Sequence, residues 1–249
     1  MQETLPVALK DEPLVEAVFE VRFAGDQVVS DLLPGALFQS ISPRPKTSRL
    51  PAAEIPRPLR GSDTNLRFAP VSQLELENYI ISIGDHNLVL SCKLPYPKWV
   101  TFREKIMEIV ELTAKFELDA PISRYSLKYV NLIEGAGISD QLSKIDLNLR
   151  MGSLSSFDEH ISIQANHHDG DIVQIVKIAT NARVTGPGEI SKQGIIVDVD
   201  TIRNVEIPNM SEFMAHLHNN IDAVRKSNKS RFFDCLKSST IENMGPSYD

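Results

Sequence analysis

The chain has 249 residues, of which 42% are hydrophobic and 24% charged, as in an ordinary globular protein with a full core. Its formal net charge of -7 argues against a protein that binds nucleic acid over its whole surface, because phosphate binding needs a concentrated positive field. The two cysteines lie far apart and fit neither a disulfide framework nor a metal site, so a cytoplasmic location is expected. The first residues lack the features of a signal peptide, and no apolar stretch reaches the roughly 18–20 residues that span a bilayer, so no membrane partner is expected.

The first predicted element is a half-buried strand at residues 14–23, where apolar and polar side chains alternate strictly. Its polar face carries Glu16, Glu20 and Arg22. The apolar segment that follows, at 28–38, predicts a short helix that its proline and glycine kink or break.

Residues 42–61 combine five prolines and five basic residues with a single acid. Proline removes backbone donors and favours extended neighbours, so this composition predicts a long, stiff, basic arm or loop. Connections of this length are uncommon inside compact domains and are often functional or disordered, and both alternatives stay open. The arginines of the arm that become candidate binding residues are Arg44, Arg49, Arg57 and Arg60.

The next segments predict an antiparallel meander followed by a helix. Alternating stretches at 66–71, 74–84 and 88–94 are typical of strands, with a polar turn before the third. From 97 to 116 the apolar residues recur with a period of 3.6, which predicts an amphipathic helix lying on the sheet.

After residue 121 the order of elements restarts. Alternation over 122–133 predicts a strand whose polar face includes Arg124 and Lys128. The remaining predicted elements are a short helix at 138–143, strands at 145–151, 160–166, 171–180 and 194–202, and a long amphipathic helix at 211–236.

The element order predicts an α+β fold made of two pseudo-repeats, 1–120 and 121–249. Each repeat comprises a strand, a short helix, an antiparallel meander and a long helix, and the two together form one continuous antiparallel sheet backed by the two long helices. By analogy of element order alone, this architecture resembles TATA-binding-protein-like or helix-grip folds. Such an analogy carries no function.

Three segments resemble a sporadically distributed bacterial family of uncharacterised proteins of similar length. The most specific is the opening PLVEAVFEVRF at 13–23, which fits that family's N-terminal motif PLxEAxxExRF. RYSLKYVNLI at 124–133 and the C-terminal stretch 232–245 also fit, so the resemblance covers nearly the whole chain. It implies no assigned activity, cofactor or catalytic residue. The patchy distribution implies mobile genes, such as bacterial defence or toxin-antitoxin modules.

Other polar groupings favour structural roles. The histidines and aspartate at 167–169 are typical of a polar hairpin tip, and no further metal ligands stand at a conventional spacing. Asp198 and Asp200 share one face of a predicted strand, where the solvent-facing interpretation is favoured over acid-base chemistry. No catalytic or phosphate-loop motif is present in the sequence, so no metal or cofactor is predicted.

Three functions remain to be compared. The favoured one is a non-catalytic binding or regulatory subunit that engages a protein partner through the polar face of the two first strands and through the arm. The alternative is a nucleic-acid-binding protein whose arm cations contact phosphates. A weaker alternative is an enzyme without a motif, using Asp198, Asp200 and His160. The predicted partner-binding residues are Glu16, Glu20, Arg22, Arg44, Arg49, Arg57, Arg60, Arg124 and Lys128.

Overall fold

The computed structural model describes residues 5–149, 160–185 and 191–248. The strands are β1 (Ala8–Leu9), β2 (Leu14–Phe23), β3 (Lys46–Arg49), β4 (Pro70–Glu75), β5 (Tyr79–Gly84), β6 (Asn87–Cys92), β7 (Ile122–Glu134), β8 (Ser162–Asp169), β9 (Ile172–Thr185), β10 (Ser191–Ile207) and β11 (Pro246–Ser247). The helices are α1 (Leu33–Ser40), α2 (Arg57–Ser62), α3 (Lys98–Ala114), α4 (Ile138–Ser143), α5 (Met210–Asp234) and α6 (Ser238–Asn243), with short 3-10 helices at Val29–Asp31 and Pro51–Glu54.

The predicted α+β class and antiparallel sheet are confirmed. Among the described residues, nine strands form one sheet in the order β3-β4-β5-β6-β2-β7-β10-β9-β8, and β1 pairs with β11 separately. β4, β5 and β6 are consecutive antiparallel neighbours, as the meander prediction requires. β8 and β9 form a hairpin whose turn places Gly170 at a positive φ of 59°, a conformation that glycine adopts without strain.

Packing divides the chain into two compact units that are discontinuous in sequence. The first unit comprises residues 1–16, 128–201 and 223–249, and the second comprises 17–127 and 202–222. These two units are defined by contacts between residues. The predicted halves 1–120 and 121–249 are defined instead by the repeated order of helices and strands along the chain.

In the first unit, strand alternation and the C-terminal part of α5 supply the core. Ile195, Val197 and Val199 occupy alternate positions of β10 and are fully buried, and they belong to one core cluster with the buried Phe232 and Phe233 of α5. Gly194 lies so close to β7 that an added Cβ would stand 2.1 Å from the backbone carbonyl oxygen of Ile133. The absence of a side chain at residue 194 is therefore a condition of this strand packing.

In the second unit, α3 and the N-terminal part of α5 cover the apolar side of the strands. Phe102, Ile106, Ile109 and Val110 of α3 are buried at the spacing of one helical face, as the 3.6-residue period predicts. Tyr125 of β7 is fully buried in the same unit. The two predicted long helices are therefore present and bury apolar stripes.

The segment 42–61 differs from the predicted arm, because it carries regular structure. β3 pairs with β4 along its whole length, and the Leu50 N–H continues that pairing by donating to the Val71 carbonyl. Two of the five prolines stand at helix starts, where a missing N–H costs no hydrogen bond: Pro51 in the second 3-10 helix and Pro58 in α2.

Three strand predictions also need correction. The single strand predicted at 74–84 is interrupted at 76–78, so this segment supplies the end of β4 and all of β5. The segment predicted as a strand at 66–71 is largely turn, and β4 begins only at residue 70. Of the strand predicted at 145–151, Ile145 forms an isolated bridge to Leu236 and 146–149 have no regular structure, while 150 and 151 lie outside the described residues. Short apolar runs of this kind do not distinguish a strand from a packed loop.

Candidate functional site

The candidate site begins on the polar face of β2 in the second unit. Successive side chains point to opposite faces of a strand. Phe19 and Val21 are fully buried on one face, so Glu20 and Arg22 lie on the other. This placement follows directly from the alternation in the sequence.

β7 brings a second arginine to the same face. It lies beside β2 in the sheet, where the Ala24 N–H donates to the Pro121 carbonyl at 2.6 Å. Tyr125 is buried on the apolar face, with its ring centroid 5.4 Å from that of Phe213. The preceding residue, Arg124, therefore lies on the polar face.

Glu20 is the common acceptor of this face. Its Oε2 atom lies 3.0 Å from Arg22 Nε and accepts a hydrogen bond from Arg124 Nη2 at 3.3 Å. Its Oε1 atom accepts a hydrogen bond from Asn87 Nδ2 at 2.9 Å, and Asn87 Nδ2 also donates to the Phe68 carbonyl at 3.1 Å. One carboxylate thus holds two guanidinium groups close together.

An aromatic ring fixes the orientation of Arg22. The Arg22 Cζ atom lies 3.8 Å from the centroid of the Phe68 ring, and Arg67 Cζ lies 5.6 Å from the same centroid. Cation-π contacts within about 6 Å contribute on the order of 0.5–1 kcal/mol at exposed sites. A stacked guanidinium keeps its N–H groups in its own plane, the geometry that carboxylate and phosphate oxygens bind.

We call Glu20, Arg22, Arg67, Phe68, Asn87 and Arg124 the Glu20 cluster. The cluster as defined holds three guanidinium groups and one carboxylate, whereas the whole chain carries a net charge of -7. The side chains of Glu20, Arg22 and Arg124 are 14, 24 and 20% exposed. Partial burial strengthens the electrostatic field of the cluster, and the remaining exposure leaves it accessible to an anionic group.

A separate charged group lies in the first unit. Lys128 Nζ is 3.5 Å from both Glu16 Oε2 and Asp198 Oδ2. Burial raises the pKa of Asp198 above its ordinary value, against the opposing effect of Lys128. Burial alone would lower the pKa of Lys128, but the neighbouring carboxylates outweigh it and the pKa is raised overall. Lys128 thus stays charged and ties two carboxylates together, which is a stabilising role.

Arg60 lies in the interior, with 6% of its surface exposed. It binds Asp85 with two hydrogen bonds, Nε to Oδ2 at 2.9 Å and Nη2 to Oδ1 at 3.0 Å. Its Nη1 donates to the backbone carbonyls of Ala52 and Ile55. Arg60 therefore anchors 52–60 to the turn between β5 and β6.

The other arginines of 42–61 lie nearer the surface. Arg57 Nη2 is 2.5 Å from Asp31 Oδ1, and the hydrogen bond to Asp31 raises the Arg57 pKa. Arg49 is exposed on β3 and lies 3.9 Å from Glu54, while Arg44 Cζ lies 5.6 Å from the ring centroid of Phe38. The structure does not gather these arginines into one cluster with Arg22 and Arg124.

Three residues that matter here escaped the sequence analysis: Phe68, Asp85 and Asn87. Phe68 precedes β4 in a stretch predicted as a strand, so its contact with Arg22 had no local signal. Asp85 and Asn87 belong to the polar turn before β6, where polar residues are expected without any partner. Their burial, at 4 and 1% exposure, shows only in three dimensions.

The surroundings of three histidines and of both cysteines favour structural roles for these side chains. His160 Nδ1 lies 2.8 Å from the Thr180 carbonyl oxygen, and His167 and His168 are exposed on β8. Among the described residues, no group of three or more His, Cys, Asp or Glu side chains is arranged to hold a metal ion. Burial raises the pKa of the free thiols of Cys92 and Cys235 to about 12 and about 11, which lowers their reactivity.

No helix in the described part of the chain is long and apolar enough to cross a membrane. Comparison with protein-family models found no match, and comparison with curated proteins found none either. The geometry of the Glu20 cluster is therefore the observation that bears on function.

Proposed function

We propose that the chain is a non-catalytic protein-binding or regulatory subunit, and that the Glu20 cluster binds an acidic segment of its protein partner. The observation that supports this is the sharing of one carboxylate by Arg22 and Arg124. A carboxylate from a partner would give the two guanidinium groups a further acceptor beside Glu20.

Arginine suits this role because its planar fork makes paired hydrogen bonds with carboxylates and is weakly hydrated. Arginine is also enriched at protein interfaces, whereas lysine is depleted. The stacking of Arg22 on Phe68 holds one fork in place before binding, which reduces the entropy lost on association. The cluster thus combines charge and preorganisation.

The resemblance to a sporadic bacterial family extends this proposal to the setting. We place the chain in the cytoplasm as a regulatory component of a defence or toxin-antitoxin module. A test of the setting is whether the adjacent gene product in the native host binds the purified chain. A neighbour that binds only when the Glu20 cluster is intact would support both parts.

We also propose that the two predicted repeats share one topology, in the manner of TATA-binding-protein-like or helix-grip folds. The strand order supports this, because β6, β5 and β4 follow β2 on one side as β10, β9 and β8 follow β7 on the other. An experimental structure tests it: superposition should match 14–114 with 122–234 element by element. Failure of β2 to overlay on β7 would refute the repeat.

The competing proposal is nucleic-acid binding through the cations that remain exposed on and near β3. Lys46 and Arg49 are exposed on this strand at the end of the sheet. Arg57 and Arg60 already have acidic partners, which weakens a phosphate-tracking role for the whole segment. The two proposals predict different sensitive residues.

The experiment is affinity capture from native-host extract, followed by direct binding measurements with each purified partner. The site variant is Arg22→Gln/Arg124→Gln, and the matched control is Lys46→Gln/Arg49→Gln, which removes two cations from β3 instead. Each variant is first shown to keep the thermal unfolding temperature of wild type within a few degrees. The proposal expects protein capture to fail only with the site variant, whereas loss of nucleic acid with the β3 variant would favour the competing proposal.

A gain of binding gives the sharper test, because misfolding cannot imitate it. Glu20→Gln removes the internal carboxylate that competes for Arg22 and Arg124 while keeping a similar shape. The variant should bind the acidic partner several-fold more tightly and with a steeper salt dependence. Unchanged or weaker binding by a folded Glu20→Gln variant would contradict the proposed site.

A further inference from the structure

A groove of about 760 Å³ lies at one end of the strands in the second unit. It is formed by Ala24, by 121–123 and by 204–208, from the ends of β2, β7 and β10. Its size falls in the range of about 300–1,000 Å³ that is typical of ligand pockets. The lining is mainly apolar, with Glu206 as its charged member.

The groove borders the Glu20 cluster. Residues two apart on a strand share a face and are separated by about 7 Å. Ala24 directly follows the end of β2, two residues after Arg22, and Ile122 begins β7 two residues before Arg124 and is buried where it lines the groove. The Ser123 hydroxyl, which donates to the Arg22 carbonyl at 3.3 Å, joins the two strands at this boundary.

The Glu20 cluster and the groove carry charged side chains of opposite sign. Arg22 and Arg124 lie on the cluster side, while Glu206 is exposed in the groove lining. An extended peptide presents alternate side chains about 7 Å apart on one face, so neighbouring alternate residues can reach the cluster and the groove together. Complementarity requires an acidic residue for Arg22 and Arg124, an apolar one for the groove and a basic one for Glu206.

From this juxtaposition we propose that the groove binds the apolar side chain of the same acidic partner segment, and that the segment is extended and carries, beside its acidic residue, an apolar residue for the groove and a basic residue for Glu206. The inference rests on the proposed function, since it takes the acidic residue to lie on Arg22 and Arg124. It adds the class of sequence that is recognised. Either chain direction satisfies the pattern.

The test uses the full chain and capped synthetic peptides, whose only charges are on side chains. The probe is Asp-Thr-Leu-Thr-Lys, and binding is followed by ¹⁵N–¹H chemical shifts of the protein amides. Three matched peptides each change one position: Asn for Asp, Ser for Leu, and Glu for Lys. Binding should shift amides at 22–24, 122–124 and 204–207, and each matched peptide should bind more weakly.

A preference switch separates the groove from general loss of structure. Glu206 is exposed, so Glu206→Lys is expected to fold normally. Wild type should prefer the peptide ending in Lys, and Glu206→Lys should prefer the one ending in Glu, each by roughly two- to fivefold, as solvent-exposed ion pairs allow. The same preference in both proteins would overturn the inference.

The outcomes also separate this inference from the proposed function. If Arg124→Gln abolishes binding but the Leu-to-Ser and Glu206→Lys changes have no effect, the groove inference fails and the proposed function stands. If binding is independent of Arg124, both fail. If no peptide shifts the groove amides at millimolar concentration, the groove is not the site.

Discussion

The strongest single prediction concerns the buried pair of Arg60 and Asp85. Their side chains are 7 and 6% exposed, and Asp85 Oδ1 also accepts a hydrogen bond from the Ser30 hydroxyl at 2.7 Å. Arg60→Met keeps the aliphatic stem but removes the donors. It leaves Asp85 charged in the interior and takes a donor from the carbonyls of Ala52 and Ile55.

The expected loss follows from the cost of an unpaired buried charge. Removing one member of a buried ion pair destabilises a protein by about 3–5 kcal/mol, whereas removing both is often neutral. Arg57→Met is the matched control, since its pair with Asp31 is about half exposed and such pairs contribute about 0–1 kcal/mol. The double variant Arg60→Met/Asp85→Leu should recover most of the loss.

Urea unfolding, followed by the fluorescence of Trp99 in the same unit and by circular dichroism, measures these differences. Trypsin adds a local readout, because the Arg49–Leu50 bond lies just before the anchored segment 52–60 and should become susceptible in Arg60→Met. A loss below about 1 kcal/mol for Arg60→Met, equal to that of Arg57→Met, would refute the anchoring role. Residues 42–61 would then behave as the loose arm that their composition predicts.

Three further predictions test packing and protonation. Gly194→Ala should lower the free energy of unfolding in urea by about 1–3 kcal/mol or more, because its Cβ would stand 2.1 Å from a backbone oxygen of β7. In the control Gly35→Ala in α1, the new Cβ meets nothing within 4 Å, so the free energy of unfolding should stay the same or rise. Burial raises the pKa of Asp198, so the folded state binds the Asp198 proton more tightly than the unfolded state does. The free energy of unfolding should therefore fall as the pH rises from about 4 through the raised pKa. The Asp198→Asn variant should lack that fall. If the wild-type and Asp198→Asn curves stay parallel across this window, the raised pKa is wrong. Cys92, whose pKa burial raises to about 12, should react slowly with iodoacetamide at pH 8 in the folded chain and rapidly in urea, and equal rates would show an exposed thiol.

The regular elements were the predictable part of this fold. Strict alternation in β2 and the helical period in α3 each report burial on one face, which is a local property of the sequence. Alternation is less complete in β7, because Ile122, Ser126 and Leu132 are buried on the face that carries Arg124. The same alternation correctly placed Glu20, Arg22 and Arg124 on a polar face.

The rest depends on contacts between residues far apart in the chain. Arg60 and Asp85 are 25 residues apart, and the sequence around each of them looks like that of a solvent-exposed segment. Burial of that pair makes 52–60 a packed segment in spite of its prolines. Phe68 and Asn87 join the Glu20 cluster in the same way, through tertiary contacts that no spacing rule reports.

The most direct measurement of the central claim is a reciprocal charge exchange with the purified partner, by isothermal titration calorimetry at two salt concentrations. Arg124→Glu should weaken binding by about tenfold or more, since like charges then face each other. Replacing the partner's acidic contact residue with lysine should weaken binding to wild type and restore it to Arg124→Glu. If no acidic residue of the partner restores binding, or if Arg124→Glu binds as wild type does, the Glu20 cluster is not the interface.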